Sequence, residues 1–530
     1  MTTAPAAPPI ELDTDDPVYR KRWLTLAVLC TSLIVIGVDN TILNVALPTL
    51  ATDLDAGTSQ LQWIVDGYTL VFAGLLLTCG SLGDRFGRKG ALSVGLVIFG
   101  VGSVLSAFAG SSANLIATRC LMGAGGALIM PATLSIITNV FTVPAERARA
   151  IGIWAGMSAV GIAVGPVAGG YLLEHFYWGS VFLVNIPIVI VALIAGWFLV
   201  PDSKDPSAPK LDPVGAVLSI LGLTALLWTI IEAPDRGWTS PEILGGFLVA
   251  AVVLGGFAFW EAHSDHPMLD VAFFKDLRFT AASVAIALTF FALFGSLFLT
   301  TQYLQSVLGY TALEAGVRVI PFALVMMVLA PQSPKLAERF GTKRVVATGL
   351  VLVSIGLGSL AFAEPSAGYT PVLISYIVIA CGMALTMAPS TESIMGSLPP
   401  AKAGVGSAVN DTTRQVGGAL GVAIIGSVYS SIYVSRVDDA IAGKGVPSDV
   451  ADVITSSITG ALTVAEKAGG STGAQLADAA RSAFVEGMHH GVVVGAGVAL
   501  LGAVICVLFL PARAADAIGS DEGGDPPTTT

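Results

Sequence analysis

Residues 80–90 read GSLGDRFGRKG, and residues 336–343 read LAERFGTK. The first stretch sets Asp84, Arg85, Arg88 and Lys89 among glycines and between two apolar runs, in a chain of 530 residues of which only 12% are charged. In register, 82–89 and 336–343 share Leu, Arg, Phe, Gly and Lys, with Glu338 opposite Asp84, at an offset of 254 residues. Each copy follows the second apolar run of a group of six. A polar loop that recurs at the same place in two groups of spans indicates a duplicated six-helix unit of the kind that builds two-bundle transporters.

The composition agrees. Hydrophobic residues make up 54% of the chain, and mean hydropathy is +0.79, so lipid is its main solvent. Apolar runs of about 20 residues, each long enough to cross a hydrocarbon layer of about 30 Å, fall near 23–48, 61–80, 91–110, 115–140, 150–173 and 180–200. Two more lie near 213–232 and 242–261, and six near 279–307, 314–331, 345–363, 371–396, 404–433 and 489–510. The expected fold class is therefore an all-α polytopic membrane protein with 14 transmembrane helices. Two six-helix bundles are related by a pseudo-two-fold, and two helices are inserted between them. The first run continues past Pro48 with no small-residue cleavage site, which argues against a removable signal peptide.

The expected domains are a tail at 1–22, a first bundle at 23–200 and the inserted pair with its linkers at 201–278. Five helices of the second bundle follow at 279–434, then a long loop at 435–488, the last helix at 489–511 and a disordered tail at 512–530. The loop's amphipathic stretches, 450–465 and 474–485, suit a helical hairpin outside the membrane, or a spacer without a role. Eighteen of the 26 Lys and Arg lie on the side shared with the termini, whereas the opposite short loops carry only Arg236. Basic residues favour the cytoplasmic face, so both termini and residues 80–90 are expected there.

Three further motifs join the repeated loop: DNTILNVALP at 39–48, RCLMGAGGALIMP at 119–131 and GMSAVGIAVGPVAGG at 156–170. With them the chain resembles the major facilitator superfamily, and specifically its fourteen-helix drug:proton antiporter branch, over nearly its whole length. The resemblance implies a proton-coupled secondary exporter of lipophilic, cationic or neutral drugs or antibiotics, seated in a bacterial plasma membrane and monomeric. It also implies a conformational latch of Gly80, Asp84, Arg85, Gly87, Arg88 and Lys89, with Glu338 and Arg339 as a weaker counterpart. Asp84 would meet the positive N-terminal end of a second-bundle helix, placed by the resemblance at the start of helix eleven near Lys343 and Arg344.

Charges inside spans are costly and face a partner or a cavity. Asp39 lies nine residues before the outer end of the first span, about 14 Å deep at 1.5 Å per residue. Arg119 occupies the same outer half, from the fourth span. A carboxylate beside a cation stays ionised and one sealed from water takes up a proton, so Asp39 and Arg119 are candidates for proton coupling; a static pair joining two helices is the alternative. Candidate substrate-binding residues are Asp66 beside Trp63, Glu392, and Asp411 with Arg414 three residues on. Gly161, Gly165 and Gly169 share one helix face, and with Pro166 and Gly170 they are expected to form a close, deformable seam between the bundles. Arg318 is expected to pair with Glu314 four residues earlier, and His489 and His490 to lie at an interface.

No phosphate-cradling loop and no metal-spaced Cys/His set occurs, and the five cysteines lie in or at the ends of apolar runs. The expected partners are a small lipophilic substrate, protons and the bilayer, with no metal, no cofactor beyond the proton gradient and no nucleic acid. Export of one endogenous metabolite or lipid is the alternative within transport. A polytopic enzyme or sensor lacks the facial cluster of His, Asp or Glu that it would need.

Overall fold

A computed structural model describes residues 17–54, 56, 58–205, 212–364, 366–444 and 446–511. Among them fourteen helices are long and apolar enough to cross a membrane. The first six are α1 (Pro17–Asp53), α2 (Thr58–Phe86), α3 (Arg88–Ala107), α4 (Ser112–Val140), α5 (Pro144–His175) and α6 (Ser180–Leu199). The inserted pair is α7 (Pro213–Arg236) and α8 (Pro241–His263). The second group comprises α9 (Leu277–Val307), α10 (Leu313–Phe340), α11 (Thr342–Phe362), α12 (Thr370–Gly396), α13 (Pro400–Ile441) and α14 (Gly470–Phe509). The membrane side that carries most of the basic loops is called inner below.

Local chemistry starts several helices. The side chains of Ser111, Asp212 and Ser240 accept from the backbone N–H groups of Asn114, Gly215 and Ile243, capping α4, α7 and α8. Thr311 and Glu314 form a capping box. Glu314 is thus spent on the backbone, and Arg318 donates to the Glu314 carbonyl at 2.9 Å, with its guanidinium 3.5 Å from the Tyr310 ring centre. The expected carboxylate–guanidinium pair between Glu314 and Arg318 does not form.

Within the first bundle α1 packs on α5, and α4 on α2 and α3; within the second α9 packs on α13, and α11 on α12 and α14. The bundles meet through two matching antiparallel pairs, α2 on α13 and α10 on α5, as the pseudo-two-fold requires. The repeated loop carries the same symmetry in its backbone. Gly87 (φ 122°) and Gly341 (φ 89°) stand at the same position of the two copies, each in a conformation that L side chains avoid, and each turns the chain into the next helix. The inserted α7 lies against α2 and α13, while α8 packs mainly on α7 and exposes Leu244, Leu248, Val252 and Phe259 on its outer surface.

Two expected boundaries change. The helix of α1 begins at Pro17, so 17–22 belongs to it, and Arg22 pairs with Glu146 at 2.8 Å. The loop at 435–488 is mostly helix: α13 runs on to Ile441 and α14 begins at Gly470. The stretch at 450–465 forms two short helices, Ser448–Ser456 and Ile458–Ala468, and the second folds back at Gly469 onto the opening of α14, so the expected hairpin forms with its second arm, 474–485, continuous with the last span. At 40 residues α14 is about 60 Å long, twice the hydrocarbon thickness, so it stands well clear of the membrane. Polar residues end an apolar run without ending a helix, which is why the two boundaries differ. The short helices pack on α13, α14 and the outer end of α9, all in the second bundle. The tail expected at 512–530 lies outside the described residues.

Candidate functional site

Apart from Glu261 in the inserted α8, the buried charges among the described residues fall into three groups along the molecule. In the outer half of the first bundle, the Arg119 guanidinium of α4 donates to Asp39 of α1 at 2.5 Å, and neither side chain is more than 1% exposed. Three neighbours hold the pair. Asn185 of α6 donates to the other Asp39 oxygen at 3.2 Å and to Ser103 at 3.1 Å, Arg119 donates to the Ile64 carbonyl at 3.2 Å, and its guanidinium lies 4.4 Å from the Tyr68 ring centre. Four helices therefore converge on one ion pair. Sequence reasoning brought Asp39 and Arg119 together but missed Asn185, whose only signal was an amide at the head of a wholly apolar span.

The second group lies where the bundles meet. Asp411 and Arg414 of α13 are 3.7 Å apart, and both are buried. Asp411 accepts from Asn410 at 3.2 Å and Ser407 at 3.5 Å, while Arg414 reaches Thr391 of α12 at 3.4 Å. Its guanidinium lies 4.7 Å from the ring centre of Trp154 of α5 and 5.3 Å from that of Phe290 of α9. Trp154 is fully buried and donates to Thr133 at 3.1 Å. Neither ring was foreseen, because in an apolar sequence an aromatic that faces a cation looks like one that faces the core.

The third group closes the inner end. Asp84, 3% exposed, accepts from the N–H groups of Gly404 (2.9 Å) and Val405 (3.2 Å) and from Arg88 at 2.9 Å. Arg88 in turn donates to the carbonyls of Pro400 (2.8 Å) and Ala401 (3.2 Å). Asp84 thus caps the start of α13, not of α11, and Lys343 and Arg344 are not its partners. The two inserted helices move this helix from eleventh to thirteenth place in the chain, and α13 is the helix that packs on α2. Lys89 donates to the Trp197 carbonyl at 2.9 Å, and Arg85 lies over Phe86, 5.4 Å from the ring centre. A strand of backbone crosses the latch: Arg88 N–H donates to Ser203 and Asp205 N–H to Asp84.

The second copy has no such grip. Glu338 and Arg339 are exposed, and Thr342 replaces the arginine that reaches across at Arg88. Glu392 serves this end as well, bound by Arg147 of α5 at 2.8 Å across the bundle boundary. Arg147 had registered in the sequence only as a topological charge. Asp84→Asn keeps the shape of the latch but removes its charge, and it should lower flux about tenfold, because a charge-assisted hydrogen bond is worth about 1.5–3 kcal/mol. Ligand affinity measured on the purified protein should stay unchanged.

The glycine stripe joins different partners from those expected. Gly161, Gly165 and Gly169 face α1 of their own bundle: a Cβ on Gly161 would lie 3.0 Å from the Gly37 Cα, one on Gly165 2.9 Å from the Val38 carbonyl and one on Gly169 2.8 Å from Ile42. The seam between bundles is on the opposite face of α5. There a Cβ on Gly152 would lie 2.6 Å from the Ala330 carbonyl and one on Gly170 3.0 Å from Leu313, while Pro166 packs on Gly316. Gly80 and Gly404 make the equivalent contact between α2 and α13, an added Cβ on either lying 2.6 Å from the other's carbonyl.

Asp66 and Trp63 face elsewhere. Trp63 lines an apolar cavity of about 550 Å³ between α2, α4 and the inserted pair, with Gly67, Leu70, Cys120, Leu221 and Trp228. Asp66 has Glu232 and Asp235 of α7 as charged neighbours, and Gln62 donates to Asp235 at 3.1 Å. His489 makes a 2.7 Å hydrogen bond with the Ala363 carbonyl. No group of three or more metal-ligating side chains occurs among the described residues.

The family model described as Major Facilitator Superfamily matches residues 29–422. The chain is 38% identical to the multidrug efflux pump LfrA of Mycolicibacterium smegmatis, over 92% of this chain and 95% of that one. It is 32% identical to the tetracenomycin C resistance and export protein of Streptomyces glaucescens, over 92% and 91% respectively. Among solved structures, the human organic anion transporter MFSD10 superposes with a TM-score of 0.58 at 12% identity, covering 93% of this chain and all of that one.

Proposed function

Because the chain belongs to the Major Facilitator Superfamily and is a secondary transporter rather than an enzyme, we propose that it exports lipophilic drugs or antibiotics, cationic or neutral, in exchange for protons. The observation that carries the export reading is the likeness, over nearly the full length of both chains, to a protein named a multidrug efflux pump. In this reading the protein is a monomer in a bacterial plasma membrane, with both termini in the cytoplasm and no cofactor but the proton gradient.

The chemistry follows from the three charged groups. The two bundles rock about the interface that holds Asp411, Arg414, Trp154 and Phe290, which takes up substrate. Closure of the inner end is held by Asp84 on the head of α13 and by Arg147 on Glu392. Opening that end breaks both contacts and exposes the interface to the cytoplasm. Asp39 serves as the proton carrier: while Arg119 is against it the carboxylate is stable without a proton, and when rocking separates them a proton must take the place of the guanidinium. Asn185 holds the carboxylate in place through the exchange.

A second reading, export of one endogenous product, is favoured by the relative named for a single antibiotic. Accumulation of cationic, neutral and anionic dyes in a pump-deficient host separates the two. The proposal expects lower accumulation of several unrelated cationic and neutral dyes, abolished by an ionophore that collapses the proton gradient. Unchanged accumulation of every dye would remove the multidrug reading, and export indifferent to the ionophore would remove the proton.

A further inference from the structure

Arg414 is the loosest of the arginines that pair with a carboxylate inside the bundles. Arg119, Arg88 and Arg147 each hold a carboxylate at 2.8 Å or closer, but Arg414 stands 3.7 Å from Asp411, beyond hydrogen-bonding distance. Its Nε has no hydrogen-bond partner among the described residues, and its one hydrogen bond, to Thr391, is long at 3.4 Å. A guanidinium carries five N–H donors, and leaving them unmet away from water is costly. What surrounds this one is aromatic: Trp154 from the first bundle and Phe290 from the second, each ring centre within about 6 Å, the range of a cation–π contact. Asp411, meanwhile, is oriented by Asn410 and Ser407 and does not depend on Arg414 for its position.

A carboxylate held in place by neutral donors, with two aromatic rings around the same cation in a water-poor interface, is the chemistry of a site for a lipophilic cation. Here that place holds the chain's own guanidinium. We infer that Arg414 is a built-in cation filling a site formed by Asp411, Trp154 and Phe290, and that it sets the charge of substrate the interface accepts. This deepens the export reading by giving its central site a ligand class. With both charges present the site is close to neutral and takes neutral or singly charged lipophilic compounds. Without Arg414 it is a site for cations; without Asp411 it is a site for anions. The rings come from opposite bundles, so whatever lies between them reports on how closely the bundles approach.

Tetraphenylphosphonium and tetraphenylborate have nearly the same shape and opposite charge, so the ratio of their affinities isolates the charge of the site. Binding is measured on the purified full-length protein in lipid nanodiscs, with empty discs to subtract partitioning. Arg414→Gln should move the ratio toward the phosphonium about tenfold or more, the scale of a desolvated cation–π contact. Asp411→Asn should move it toward the borate by a similar factor, and the double variant should return it near the wild-type value. If Arg414→Gln does not fold, Asp411→Asn tests the same inference with the opposite sign. A ratio unchanged in the folded single variants overturns it, as does a parallel loss of both ligands, which marks Arg414 as a packing residue only. The measurement involves no transport, so a protein that binds as expected but exports nothing would refute the export reading and leave this inference standing.

Discussion

Asp39→Asn should lower proton-driven export by about two orders of magnitude, the lower range of what a positioned proton-transfer group contributes, in liposomes with an imposed pH gradient. The substitution is nearly isosteric and leaves Asn185 a hydrogen-bond acceptor, but it removes the carboxylate bonded to Arg119. Breaking a buried pair by deleting one partner costs about 3–5 kcal/mol, so thermal stability should fall as well. The reading that separates a proton carrier from a static brace is exchange without a gradient. A carrier variant still equilibrates labelled substrate across the membrane, because rocking needs no net proton movement. A variant that has lost only a brace shows both activities reduced together, with coupling per molecule transported intact.

Gly80→Leu should abolish export almost completely while the protein inserts, folds and binds its ligands. The side chain would enter a gap in which even a Cβ lies 2.6 Å from the Gly404 carbonyl and 2.9 Å from the Ala408 Cβ, and both obstacles belong to the other bundle. Overpacking of this kind costs about 1–3 kcal/mol, and because the clash exists only when the inner end is shut, that cost falls on one conformation. At about 1.4 kcal/mol per tenfold, 3 kcal/mol depletes the closed state about a hundredfold. Cysteines placed at the inner rim should become permanently reactive to a water-soluble maleimide. Gly165→Leu offers the contrast: its obstacle is α1 of the same bundle in every conformation, so it should lower the yield of folded protein instead.

The architecture was legible because its signals are local. An apolar run of twenty residues needs no knowledge of its neighbours, and the match of 82–89 with 336–343 exposes the duplication directly. Asp39 and Arg119 could be paired because two opposite charges at the same depth have few other places to go. What the sequence withheld was direction. The spacing of Gly161, Gly165 and Gly169 says that they share a face, but the neighbour that takes that face is settled by how the helices are arranged, and it proved to be α1. Asp84 announced a helix N-terminus without saying which, since two extra helices change the count but not the packing. Trp154 and Phe290 were hidden by their apolar surroundings, and Arg147 by being one of many basic residues on the inner side. The long reach of α13 and α14 was missed because hydropathy marks where lipid ends, not where hydrogen-bonded turns end.

One helix links several of these features. α13 begins at the N–H groups that hold Asp84, carries Asp411 and Arg414 about 10–15 Å further on at 1.5 Å per residue, and continues without a break to Ile441. Its α-helical part, Ala403–Ile441, has 39 residues and is a rod about 58 Å long. A rod of that length cannot shorten, so a tilt of about 10° about its middle swings each end by about 5 Å in opposite directions. The outer tip, with the short helices seated on it, is therefore a pointer on one side of the membrane for the position of a latch on the other. A fluorophore there would follow the cycle without entering the membrane, and a binder that held it still would stop the far end as well.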